Sequence, residues 1–322
     1  MRHALLLTGL LTGTLLMHAQ VKIEKTAWEG WPNCYRITNG EAELIVTSDI
    51  GPRIMRYGFV NGPNLFWVQK ETAGKSGEPA WVLRGGHRIW IGPEDVRYTY
   101  PPDNSPVQVA IRDGVLTATQ PVEKETNVEK EIEVRLAPSG THVTVIHRLR
   151  NKGAMPLEFA AWALTMMAPG GLGISGFPPR GTHPEVLPPT HPLVMWAFTD
   201  LTDPRWKFTK KYLTLRQDPA QGSPTKLGHF NAKTFGAYLL GDHLFVKHYL
   251  PAGQAKDHPD FGTSFQIFAN ADFLELETMG PLAKVGAGET LEHVETWRLK
   301  RGASLASTTD QALDALLAGL LP

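Results

Sequence analysis

Residues 273 to 282 read Phe273-Leu274-Glu275-Leu276-Glu277-Thr278-Met279-Gly280-Pro281-Leu282, and the fold is read outward from them. Side chains alternate between the two faces of a β-strand. Leu274 and Leu276 therefore face a core, while Glu275 and Glu277 face the other way beside Phe273. Two carboxylates on one strand face repel each other, so the pattern suits a face that solvent or a polar ligand can reach. A solvated exterior and a ligand-binding surface are the two readings of that face.

The same alternation recurs along the chain. Residues 41 to 47 place Ala42, Leu44 and Val46 on one side, and residues 128 to 136 behave alike. Residues 142 to 149 put Val143, Val145, His147 and Leu149 on one side. Asn151-Lys152-Gly153 is a turn signal followed by an apolar run from 157 to about 167, so these two runs are expected to pair. Further strands are expected over 235–240, 244–249, 264–268, 273–278 and 290–299. Many short strands punctuated by Gly and Pro indicate an all-β sandwich. Residues 168 to 192, rich in Pro and Gly, read as a long irregular loop. At the end, Ser307 to Asp310 offer helix caps. Ala312, Leu313, Leu316, Leu317, Leu320 and Leu321 then form a helical stripe, expected to dock on the sandwich.

Composition narrows the function classes. Lys plus Arg number 32 and Asp plus Glu number 32, a balance that offers nothing to nucleic acid or to an anionic membrane. Arg2 and His3 precede an apolar run from Ala4 to Met17, and Ala19 stands before an expected cut ahead of Gln20. Residues 1 to 19 thus read as a secretory signal, too short to span a bilayer, and residues 20 to 322 as one exported domain in the periplasm or outside the cell. Cys34 is the only cysteine, so no intrachain disulfide can form.

Several motifs fail on inspection. Gly171, Gly173 and Gly176 have dinucleotide-binding spacing, but Phe177-Pro178-Pro179 follows and supplies no helix N-terminus for a pyrophosphate. The 12 histidines form no metal-ligand motif, and neither cofactor nor metal is expected. Asp257-His258-Pro259-Asp260 reads as a turn, or as a ligand for a sugar or calcium.

Three segments combine polar reach with aromatic surface: Gly51-Pro52-Arg53-Ile54, the run from Gly85 to Glu94, and the 273–282 strand. A sugar presents hydroxyl edges and apolar C–H faces. Its site wants forked donors such as Arg53 and Arg88, carboxylates such as Glu94, Glu275 and Glu277, and a flat ring such as Trp90 or Trp162. Each has a plainer reading beside it: an ion pair for the arginines, a satisfied histidine for His87, a core position for Trp162.

Leu276-Glu277-Thr278, then Gly288-Glu289 and His293 with Trp297, resembles the closing strands of the galactose mutarotase-like (aldose 1-epimerase) superfamily. Gly85-Gly86-His87-Arg88-Ile89-Trp90 with Pro93-Glu94 is similar to an uncharacterised exported branch of it. The resemblance implies a β-supersandwich of two large antiparallel sheets with the sugar site on a concave face. It also implies Glu277 as general base, with His87 near the family's early histidine and Arg53 near its early arginine. The family's second histidine, the general acid, would fall near Trp162, where this chain has none. The expected partner is a carbohydrate, and oligomeric state is left open. Isomerisation of an aldose leads the readings, followed by glycan binding without turnover and by a carboxylate-dependent glycoside hydrolase or lyase pairing Glu94 with Glu277.

Overall fold

Period-two alternation builds two antiparallel sheets, of 11 and 10 strands, in the computed structural model, which describes residues 21 to 250 and 253 to 321. The expected secretory signal lies outside the described residues.

The first sheet runs in the order Lys22–Trp28, Trp31–Thr38, Ala42–Thr47, Arg53–Phe59, His87–Gly92, Leu157–Met167, Leu274–Met279, Phe265–Ala269, Thr225–His229, Leu193–Met195. The short Ala283–Val285 strand also pairs with Leu157–Met167. The second sheet begins with Trp206–Phe208, Tyr212–Arg216, Leu172–Gly176, Phe235–Leu240 and His243–Tyr249. It continues through Thr290–Lys300, Val143–Asn151, Val128–Leu136, Val115–Thr119 and Gln108–Arg112. The main core lies between the sheets: Leu274 and Leu276 pack there with Ile89, Ala163, Val145 and Trp297. Their placement follows from the alternation of the 273–278 stretch.

Two expectations are corrected. Val143–Asn151 does not pair with Leu157–Met167; the first belongs to the second sheet and the other to the first. Asn151 makes the crossing, its side-chain amide donating to Met155 O at 2.8 Å and Val285 O at 2.9 Å. The turn residues are present, but the chain reverses between sheets rather than within one. The supposed loop at 168–192 contains a strand, Leu172–Gly176. Its glycines serve packing: a Cβ on Gly173 would sit 2.6 Å from Ile267 Cδ1.

The stripe near the C-terminus forms the helix Asp310–Leu317, capped by Thr309, which accepts from Ala312 N. Leu313, Leu316 and Leu317 pack onto Ile174, Phe235 and Val246 of the second sheet. That closes a separate apolar layer on the side of this sheet away from the core.

Candidate functional site

Strand register assembles the site on the outer face of the first sheet. Arg88, Leu164, Glu277 and Gln266 lie side by side on four neighbouring strands, as do Trp90, Trp162 and Met279 on three. A third row carries Met166, Glu275, Phe268 and Lys226. Because the period is two, these rows all face away from the core. Trp81 and Tyr100 from the loops close over them, with the Trp90 and Tyr100 ring centres 4.9 Å apart and Trp90 and Trp162 at 5.5 Å. The result is an aromatic-walled cavity of ≈ 230 Å³, lined also by Arg88, Glu94, Lys226, Glu275, Trp196 and Phe198.

Charges inside it are held by rings as much as by each other. The Arg88 guanidinium sits 4.0 Å above Trp90, and the Lys226 ammonium lies 5.0 Å from Trp162 and 4.7 Å from Trp196. Glu277 is fully buried directly behind the cavity lining. Its Oε2 accepts from Trp162 Nε1 at 3.0 Å and from Lys226 Nζ at 2.9 Å, while Oε1 has no partner. Burial and the neighbouring Glu275 push the Glu277 carboxyl up to about 7, although Lys226 opposes this. Burial also raises Glu275, whose Oε1 stands 3.5 Å from Arg88 without a hydrogen bond. Desolvation lowers Arg88 to about 10. Trp81 Nε1, Arg88 Nε and Gln266 Oε1 are buried without partners as well. Trp81, Arg88 and Glu275 line the cavity, so their stranded atoms are groups a hydroxyl-rich ligand would satisfy.

Of the residues singled out from sequence, Arg88, Trp90, Glu94, Trp162 and Glu275 line this cavity, and Glu277 lies just beneath it. Glu94 stands at the mouth, accepting from the Tyr100 hydroxyl. Asp260 lines an adjoining hollow and accepts from Gln266 Nε2 at 2.8 Å; burial raises its carboxyl.

Two residues fall elsewhere. Arg53 is fully buried and spent on Asp103, at 2.7 Å, and on Gly85 O, at 2.8 Å, and it does not line the cavity. His87 is the sharper correction: it lies on the opposite face of the sheet from Glu277. In His87–Gly92, Arg88 and Trp90 point outward, so His87, Ile89 and Ile91 must point inward. Lys226 and Trp196 belong to no motif and were missed. The sequence carries no signal for either: Thr225–His229 is buried throughout, but it reads Thr-Lys-Leu-Gly-His, with no apolar pattern to mark it.

His87 joins a polar network between the sheets. Its Nε2 is 2.7 Å from His147 Nε2, and its Nδ1 is 2.8 Å from Thr165 Oγ1. His147 Nδ1 lies 2.9 Å from His293 O, and Glu295 takes Lys247 at 2.8 Å, Thr278 at 2.5 Å and Trp297 Nε1 at 2.8 Å. Burial opposes the Glu295 charge, but Lys247 and the surrounding histidines hold the carboxyl far below its usual range. His87, His147 and Glu295 bring three ligand atoms within 4.8 Å of one another, the one such group among the described residues. The ammonium on Glu295 already neutralises that carboxylate, and each ring nitrogen of the pair has a partner. The network is complete without an ion.

Comparison of the sequence with family models and with curated proteins gives no match. Solved structures do match. A protein from Synechocystis superposes with a TM-score of 0.54 at 12% identity, over 85% of this chain and 98% of its own. A galactose mutarotase-like protein from Lactobacillus casei gives 0.54 at 13% identity, over 83% and 100%. A galactose mutarotase related enzyme from Lactobacillus acidophilus gives 0.51 at 10% identity, over 86% and 98%. With two broad antiparallel sheets and this agreement along most of its length, the chain has the galactose mutarotase-like fold.

Proposed function

We propose that this chain is an exported carbohydrate-active protein whose outer-face cavity binds a sugar and interconverts its anomers, as an aldose 1-epimerase does, with Glu277 as the base. One observation carries the reading. A carboxyl walled in by aromatic rings has one oxygen fixed by Trp162 and Lys226, the other free, and an affinity for protons raised to about 7. A base poised near neutrality is suited to take a proton from the anomeric hydroxyl. The ring then opens as a proton reaches the ring oxygen, the aldehyde carbon turns, and closure on its other face gives the second anomer. Since His87 faces away, the donor within reach is the Lys226 ammonium, with Glu275 beside the cavity as a second acid. The flexible lysine stem lets its head move from Glu277 to the ring oxygen, which opens the way to the base. The basic-then-apolar first nineteen residues support export.

Anomer exchange on glucose, galactose and other common aldoses, followed by polarimetry or NMR, tests this. Glu277→Gln should slow it by about 10²–10⁴-fold. A wild-type protein that accelerates exchange of none of these sugars rejects the isomerase reading.

A second reading, glycan binding without turnover, is favoured by the inward placement of His87 and the sealed position of Glu277. Calorimetric sugar binding with no anomer exchange would identify it.

A further inference from the structure

The cavity does not end at its aromatic mouth. A second hollow of ≈ 600 Å³ adjoins it, lined by Glu94, Asp95, Val96, Tyr100, Trp196 and Asp260. Glu94, Tyr100 and Trp196 line both, so the two chambers share a wall and form one stepped cleft. Resting on the carbohydrate reading above, we infer that the cleft takes the reducing end of a neutral oligosaccharide of at least two rings, with the second ring in the outer chamber.

The inner chamber has room for one sugar ring among Arg88, Glu275 and Lys226, and the outer chamber is the larger of the two. Orientation follows from the chemistry. The anomeric carbon must lie toward Glu277, so the rest of a chain leaves from the far side of that first ring and runs outward past Trp196. The outer lining suits a sugar: the rings of Tyr100 and Trp196 offer faces for C–H groups, and Glu94, Asp95 and Asp260 offer acceptors for hydroxyls. No cation lies among those six residues. Asp95 is paired with Arg97 at 3.7 Å, but an acidic sugar would still meet the carboxyl groups of Glu94 and Asp260 there, so the chemistry selects uncharged rings.

The rim carries a further sign of a built site. Asp260, on the outer lining, and Phe261, next to it in sequence, both hold left-handed backbone, at φ 51° and φ 58°, and Phe261 is 90% exposed. A non-glycine residue in that region is strained, because its Cβ crowds the following carbonyl oxygen. An aromatic ring held there in solvent gains nothing from the core to offset it. Val96, 84% exposed on the outer lining, is a second apolar side chain left at this edge. Val96 offers apolar surface to a ligand longer than the inner chamber.

The test compares binding of glucose and galactose with binding of cellobiose, lactose and maltose by isothermal titration calorimetry. At least one disaccharide should bind about tenfold more tightly than either monosaccharide. In Val96→Trp, which narrows the outer chamber from an exposed position, the disaccharide-to-monosaccharide affinity ratio should fall to about one. Asp260→Asn, which keeps the side chain's size and removes its charge, should lower the same ratio. Equal affinity for one ring and two overturns the inference and leaves the inner site standing. Failure of all five sugars to bind overturns both this inference and the carbohydrate reading on which it rests.

Discussion

Glu277 and Thr278 are neighbours on one strand, yet each belongs to a different polar system. Glu277 takes its hydrogen bonds from Trp162 and Lys226 on the outer face of the sheet. Thr278 points inward, 2.5 Å from Glu295 Oε1 and 2.8 Å from His293 Nε2. The peptide between them separates candidate chemistry from internal support, and substitutions at the two positions should have separate effects. Thr278→Val keeps shape but leaves two buried partners without their hydroxyl. Urea denaturation should show a loss of about 1–3 kcal/mol, with sugar affinity of the folded protein unchanged. A change in sugar affinity without a stability loss would contradict the division.

For Glu277 the prediction concerns pH. Its carboxyl is raised to about 7 from an ordinary 4.5, and it must be ionised to act as a base. Anomer exchange should therefore rise with pH through about 7 and level off above it. Glu277→Gln should be slow at every pH, with that inflection absent. An inflection that survives the substitution assigns the titrating group elsewhere.

The inner histidines set a different pH response. Burial lowers His293 to about 3, so between 6.5 and that value the unfolded chain binds a proton that the folded chain refuses. Stability from this group is complete above 6.5 and is lost progressively as pH falls toward 3. Denaturation of His293→Gln beside wild type should show the variant's deficit shrinking on acidification, by about 2 kcal/mol at pH 5. A deficit constant from pH 7.5 to 5 would mean that His293 accepts a proton while buried.

Leu313 is fully buried where the helix Asp310–Leu317 meets the second sheet. Leu313→Ala should cost about 2–5 kcal/mol. Sugar binding should persist in the folded variant, because the helix packs on the sheet that does not carry the cleft.

The sequence made the strands legible because alternation is a local property. Leu274, Glu275, Leu276 and Glu277 announce their faces, and Val128–Leu136, Leu157–Met167 and Phe235–Leu240 form over the residues expected. Sheet membership was not legible. Asn151 marks a reversal of the chain, but a turn does not say whether the next strand joins the same layer. His87 shows a related limit: consecutive residues in a strand cannot share a face, so choosing Arg88 for the cavity already excluded its neighbour. What the sequence withheld was that the strand begins at residue 87, directly after the two glycines. Lys226 and Trp196 stayed hidden for another reason. Lys226 meets Glu277 and Trp162, and Trp196 meets Lys226, only through pairing of distant strands, which no spacing along the chain records.

The Lys247–Glu295 pair carries a consequence for the opposite side of the molecule. Both residues come from the second sheet, and through Thr165, Thr278 and the carbonyl of Leu276 they grip the first. Sliding one layer over the other would strand charge in oil, which costs several kcal/mol. The two layers are thus pinned at one point, directly behind the strands that carry Glu275, Glu277 and Trp162. The spacing of those three groups is fixed from the rear, ahead of any encounter with a ligand.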